Sequence, residues 1–172
     1  MKNLFLLAFS VILFTACQTQ EKRYTQQSPE IDTVKKLIDN YNNKTYDTSI
    51  YADTSKTGYN SSDKTLTPDE VIAYHKANDV IYSSRSFDDK DQEYEMVITD
   101  DGKTWVNFWS DWKGTLAANG KEITIPIHLT YQFIDGKIVR ESGYWDPTEV
   151  VLNLQAIEAA KSMEAAEDDI DE

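Results

Sequence analysis

The chain has 172 residues and a formal net charge of −13, from 30 acidic against 17 basic side chains. That is the size of one ordinary domain, and so acidic a surface excludes the phosphate backbone of nucleic acid and anionic lipid headgroups as electrostatic partners. Four tryptophans and ten tyrosines suffice for a filled core or an aromatic-lined cavity, and the single cysteine excludes an intramolecular disulfide.

The chain opens on Lys2, an apolar run over residues 4–14 broken only by Ser10, and the small pair Thr15-Ala16. This is the layout of a secretory leader, and the run is too short to stay in a bilayer as a spanning helix. Phe14-Thr15-Ala16-Cys17 resembles the bacterial lipobox. It implies that residues 1–16 are a signal peptide and that Cys17 is lipidated, palmitate-type acylation making the membrane a partner through the anchor. Loss of Lys2 with the leader leaves the exported chain more negative by a single charge. Gln18 stands where an aspartate marks inner-membrane retention in some bacteria, which favours the outer membrane within the cell envelope. Residues 17–27 then read as the lipidated cysteine and a polar, flexible tether.

Ser28-Pro29-Glu30 carries an N-cap, a proline at the first helical position and an acid in the first turn. Ile31, Val34, Leu37, Ile38 and Tyr41 keep helical spacing after it, and Asn42-Asn43 ends it. A second short helix is expected over residues 46–52, and one short strand within the polar residues 53–63. Thr67-Pro68-Asp69-Glu70 is a stronger start signal, because Glu70 completes a capping box. Its helix is expected to reach about Tyr82. Beyond Asp91 the period changes to two. Strands are predicted over residues 94–99, 104–116, 121–134 and 137–145, joined by turns at Asp100-Asp101-Gly102-Lys103, residues 117–120 and Asp135-Gly136. On the third of these, Ile123, Ile125, Ile127, Leu129, Tyr131 and Phe133 share one face. Asp146-Pro147-Thr148-Glu149 repeats the helix-start signature, and Val150, Leu154, Ile157 and Met163 carry a C-terminal helix into an acidic tail over residues 156–172. The order makes an α+β domain over residues 28–155, with helices on one face of an antiparallel meander.

The stretch Tyr131-Gln132-Phe133-Ile134-Asp135-Gly136-Lys137-Ile138-Val139 is similar to the aromatic-x-Phe-x-Asp-Gly-Lys-Ile segment of the SnoaL-like branch of the nuclear transport factor 2-like superfamily. Tyr144-Trp145-Asp146 fits the end of that domain, and the order of elements matches over residues 29–155. The resemblance implies a cone-like, cystatin-like fold, in which a bent antiparallel sheet wraps a pocket closed by the N-terminal helices. It also implies a homodimer as a partner, since members often pair through the outer sheet face. The family hosts isomerases, cyclases and dehydratases as well as domains without known chemistry, so fold alone assigns no activity. Its steroid isomerases use a carboxylate base and a protonated carboxylic acid. Those positions fall here near Tyr59 or Asn60 and near Leu129, and none of these side chains can fill either role.

Neither histidine, His75 or His128, has a carboxylate or cysteine at metal-ligand spacing, so no zinc is expected, and no motif implies a cofactor. His128 shares a strand face with Thr130 and Gln132, opposite the apolar run, which reads as outward. Asp146 reads as a helix cap. Asp111, in Trp109-Ser110-Asp111-Trp112, is a candidate acid or base if it faces a cavity where aromatics desolvate it, and otherwise an outward residue. Arg140 and Glu141 point to opposite faces, so at most one of them serves a pocket. Trp105 and Trp145 belong to the aromatic stock of the sheet, and Trp109, Trp112, Tyr131 and Tyr144 are the candidate ligand-binding residues. Three readings follow: a domain binding a small apolar or aromatic molecule without catalysis, an enzyme using Asp111, His128 or Tyr144, and a protein-interaction module.

Overall fold

The computed structural model describes residues 23–168; Cys17 and the leader lie outside them. Seven strands and three helices make an α+β domain: β1 (Tyr24–Thr25), α1 (Pro29–Asn42), β2 (Tyr51–Tyr59), α2 (Pro68–Asp79), β3 (Tyr82–Phe87), β4 (Glu93–Ile98), β5 (Thr104–Leu116), β6 (Glu122–Ile134), β7 (Lys137–Tyr144) and α3 (Thr148–Asp168). The sheet runs β1-β4-β5-β6-β7-β2, with β3 on the same edge of β5 as β4. No described helix is long and apolar enough to cross a membrane.

The centre of the sheet is the β5–β6 hairpin, paired without a register shift from Thr104 opposite Phe133 to Thr115 opposite Glu122. Side chains alternate across it, so Val106, Phe108, Ser110 and Trp112 point inward with Ile125, Leu129, Tyr131 and Phe133. The next turn, Asp135-Gly136, has both residues at positive φ, 50° and 74°, as a two-residue hairpin matching strand twist requires. Its strand β7 then slips register between the partners of Gln132 and Phe133, leaving Val139 as the extra residue. This bulge resets which β7 side chains face inward. Ile138 lies opposite Phe133, and inward again come Glu141 opposite Tyr131 and Gly143 opposite Leu129, while Arg140 is exposed.

The helices start as their caps dictate. Ser28 Oγ accepts the Ile31 N–H at 3.2 Å, and Thr67 and Glu70 complete their capping box, Thr67 N–H donating to Glu70 Oε2 at 2.7 Å. Helix α1 lays Ile31, Val34 and Ile38, all nearly inaccessible, on β3, β4 and β5, and α2 lies over β2 and β3. Helix α3 packs only its first half, through Val150, Leu154 and Ile157.

Four expectations are corrected. Tyr24 and Thr25, placed in the tether, pair with Val97 and Met96 of β4 and belong to the sheet. Residues 46–52 do not form a helix; the chain turns at Asp47, whose carboxylate accepts the Ser49 N–H, and β2 begins at Tyr51. Helix α2 stops at Asp79, and the unexpected strand β3 starts at Tyr82. The sheet is mixed, since β2 pairs with β7 in parallel. The C-terminal helix runs into the acidic tail as expected, through Asp168.

Candidate functional site

Between the inner sheet face and the three helices lies a cavity of about 300 Å³. Its walls are largely apolar or aromatic, with Leu37, Phe87, Trp112, Leu129, Trp145 and Leu154 among them. Two polar clusters stand in or beside that lining, and each is built by a specific piece of the fold.

The first is centred on Glu141. The β7 bulge turns this side chain inward, and the parallel pairing sets Thr57 of β2 beside it. Tyr51 donates to Glu141 Oε2 at 2.8 Å, Thr57 to the same oxygen at 3.2 Å, and Tyr59 to Oε1 at 3.2 Å. Glu141 is 3 % exposed. Burial raises its pKa, and the three hydroxyls offset some of that rise. Burial also raises Tyr51, Tyr59 and Tyr131, with the Glu141 charge adding to each. All three stay neutral at neutral pH, and Tyr51 and Tyr59 are donors. Gly143 is required here by close approach: a Cβ would come within 2.8 Å of Leu129 Cδ2 and Trp145 Cζ3 and 3.0 Å of Tyr59. Its absence lets the Tyr59 and Trp145 rings pack at 5.3 Å.

The second is the Arg85–Asp79 ion pair at 2.7 Å. The guanidinium also donates to the Tyr41 carbonyl in the last turn of α1 and to the Tyr46 hydroxyl, both at 2.5 Å, and lies 3.7 Å over the Tyr41 ring. Tyr46 donates in turn to Asp79 at 2.6 Å. Burial works to raise the Asp79 pKa, but the hydrogen bonds from Tyr46 and Arg85 and the guanidinium charge outweigh it and hold it low. Tyr41 is pushed up to about 12 by burial, against the pull of Arg85.

His75, on α2 one turn after the buried Val71, joins the two. Its Nε2 is 3.3 Å from the Tyr59 hydroxyl, and its ring packs against Tyr41, Tyr46 and Tyr74. Burial, reinforced by Arg85, holds its pKa down at about 4, so the imidazole is neutral at pH 7.

Of the ligand-binding candidates, Trp112 and Tyr131 line the cavity, and Trp112 Nε1 donates to the Tyr41 hydroxyl at 2.8 Å. Trp109 and Tyr144 do not. They flank His128 in a cross-strand row on the outer face, with ring separations of 4.8 and 6.4 Å. The three catalytic candidates are therefore all outside. His128 and Tyr144 sit in that row, and Asp111 faces outward opposite Pro126 because the uninterrupted β5–β6 register leaves it no other parity. Asp146 stands just ahead of α3 and accepts the Thr148 N–H at 2.9 Å. Glu141, His75, Arg85 and Asp79 were not among the candidate site residues of the sequence. The sole signal was the opposite orientation of Arg140 and Glu141, which left one of the pair for the interior. Among the described residues no group of three or more His, Cys, Asp or Glu is placed to hold a metal ion.

No family model and no curated protein matches the chain by sequence. Solved structures do match by shape. A proposed polyketide cyclase from Xanthomonas campestris pv. campestris is 14 % identical over 74 % of this chain and 98 % of that one, with a TM-score of 0.60. A nuclear transport factor 2-like protein of unknown function from Burkholderia pseudomallei is 15 % identical over 73 % and 96 %, at 0.59. A proposed SnoaL-like polyketide cyclase from Shewanella denitrificans is 16 % identical over 76 % and 99 %, at 0.58. The chain has the SnoaL-like, nuclear transport factor 2-like fold that the motif at residues 131–139 implied.

Proposed function

We propose that this protein is a lipid-anchored protein of the bacterial cell envelope whose cavity holds a small apolar or aromatic molecule without transforming it. The observation that carries the binding claim is the cavity, which combines apolar and aromatic walls with a few fixed polar groups, the usual make-up of a small-ligand site. The anchoring claim rests on the leader pattern and Cys17. Calorimetric titration with 2-naphthol, a neutral aromatic probe, tests binding. Saturable binding with a raised melting temperature is expected, and no heat and no shift would overturn it. Palmitate labelling tests the anchor: label and membrane association should vanish in Cys17→Ser, and an unlabelled wild-type chain would overturn it.

One observation favours a second reading, an acid–base enzyme of the cyclase, dehydratase or isomerase kind: a buried carboxylate, Glu141, reaches His75 through Tyr59 inside the cavity. Raised carboxyl pKa values suit general acids. Against it, three hydroxyls already occupy the carboxylate, and an imidazole held at about 4 is a weak proton acceptor at pH 7. Turnover of a bound compound that is lost in Glu141→Gln would establish the enzyme reading over simple binding.

A further inference from the structure

We infer that the cavity selects an organic ammonium ion with an apolar or aromatic body, and that Glu141 is its counter-ion. This rests on the cavity being a binding site and names the class of molecule it takes.

Three acids lie at the cavity: Glu141 and Asp47 line it, and Asp79 pairs with the lining residue Arg85; Asp47 has Lys36 at 3.8 Å, and the other two differ in one respect. Asp79 has a cation of its own, Arg85, held by a direct ion pair and by hydrogen bonds shared with Tyr46. Glu141 has none. It forms no ion pair among the described residues, and everything that bonds to it is a neutral hydroxyl: Tyr51, Thr57 and Tyr59. The neighbouring imidazole, His75, is neutral and supplies no charge. An ionised carboxylate at this depth is costly unless a positive charge joins it. The fold nevertheless directs three hydroxyl donors at it, an arrangement that favours the ionised form. The counter-charge missing from the protein is the feature a ligand can bring.

The geometry admits it. An ionised carboxylate offers about four acceptor positions, and the three hydroxyls leave one, on Oε1. Glu141 lines the cavity, and the rings of Tyr59, Tyr74, Tyr131 and Trp145 line it too. Aromatic faces stabilise a cation while tolerating an apolar body. The charge of the chain, −13, draws cations toward the domain and repels anions.

The test compares two probes of nearly equal shape, phenethylammonium and 2-phenylethanol, by calorimetry at pH 7 on the full chain and on Glu141→Gln. The ammonium should bind the wild type at least roughly tenfold more tightly than the alcohol, and the gap should close in Glu141→Gln while the alcohol still binds. Equal or weaker binding of the ammonium to the wild type overturns the inference, as does a gap that survives in Glu141→Gln. If Glu141→Gln does not fold, the wild-type pair decides alone. Binding of the alcohol or 2-naphthol without an advantage for the ammonium would defeat this inference and leave the pocket reading intact. Failure of all three probes would defeat both.

Discussion

The two faces of the β5–β6–β7 sheet carry much the same chemistry and put it to different ends. Against the inner face Glu141 of β7 meets a tyrosine of β2, Tyr59, and a histidine of α2, His75, in a closed space. On the outer face a histidine and a tyrosine, His128 and Tyr144, stand beside Trp109, and Tyr144 is 55 % exposed. Burial lowers both histidines, but only His75 has aromatic rings on several sides and a buried hydroxyl partner. Residue type does not separate a site from a surface row here. Strand parity and enclosure do, and a single bulge at Val139 decides the parity of Glu141.

The difference should be largest in stability. Phe108→Ala removes a ring with no exposure and should cost about 3–5 kcal/mol, whereas its outward neighbour Trp109→Ala should cost about 1 kcal/mol. Urea unfolding of the two variants measures the gap, and similar costs would break the inner–outer distinction. Next comes the ion pair beside the cavity. Arg85→Met takes the guanidinium from Asp79 and the donor from the Tyr46 hydroxyl and should cost about 3 kcal/mol in the same assay. A loss below about 1 kcal/mol would mean that the pair is structurally idle.

A pH series sharpens the comparison further. His75 is lowered in the folded state, to about 4 from 6.5, so the unfolded chain binds more protons in that window. Its contribution is complete above 6.5 and is lost as pH falls toward 4, on the order of 2 kcal/mol between pH 7 and 5. Glu141 is raised, so its contribution has the opposite sign, present below the ordinary glutamate range and lost as pH rises through the shifted value. Stability of His75→Gln should therefore fall less steeply than wild type below pH 6.5, and that of Glu141→Gln should decline less as pH rises above about 4.5. A His75→Gln curve parallel to wild type would contradict the buried, neutral imidazole. The smallest effect is expected on the outside, where Tyr144→Ser should stay within about 0.5 kcal/mol and leave 2-naphthol binding unchanged.

Much of the fold was readable because β4 to β7 announce themselves through two-residue periodicity and glycine-bearing turns, and α1 and α2 through caps. The misses have physical causes. Strand β3, Tyr82-Ser83-Ser84-Arg85-Ser86-Phe87, has too few apolar residues to show a period, since its buried Arg85 serves an ion pair. Strand β2 is polar for a similar reason: Tyr51, Thr57 and Tyr59 spend their hydroxyls on Glu141. Its parallel partnership with β7 joins residues more than eighty positions apart, which no local pattern encodes. The site was legible only as its walls, through Trp112 and Tyr131. Its polar centre depended on the bulge in β7, a register event that alternation along one strand does not show.

The most direct measurement is calorimetry of 2-naphthol with three proteins: wild type, Tyr144→Ser on the outer face, and Ile72→Trp, which fills the cavity from a residue in its lining. Equal binding by wild type and Tyr144→Ser, with binding abolished in a folded Ile72→Trp, is the result expected if the inner cavity is the site. Undiminished binding in Ile72→Trp, or its loss in Tyr144→Ser, would contradict that claim.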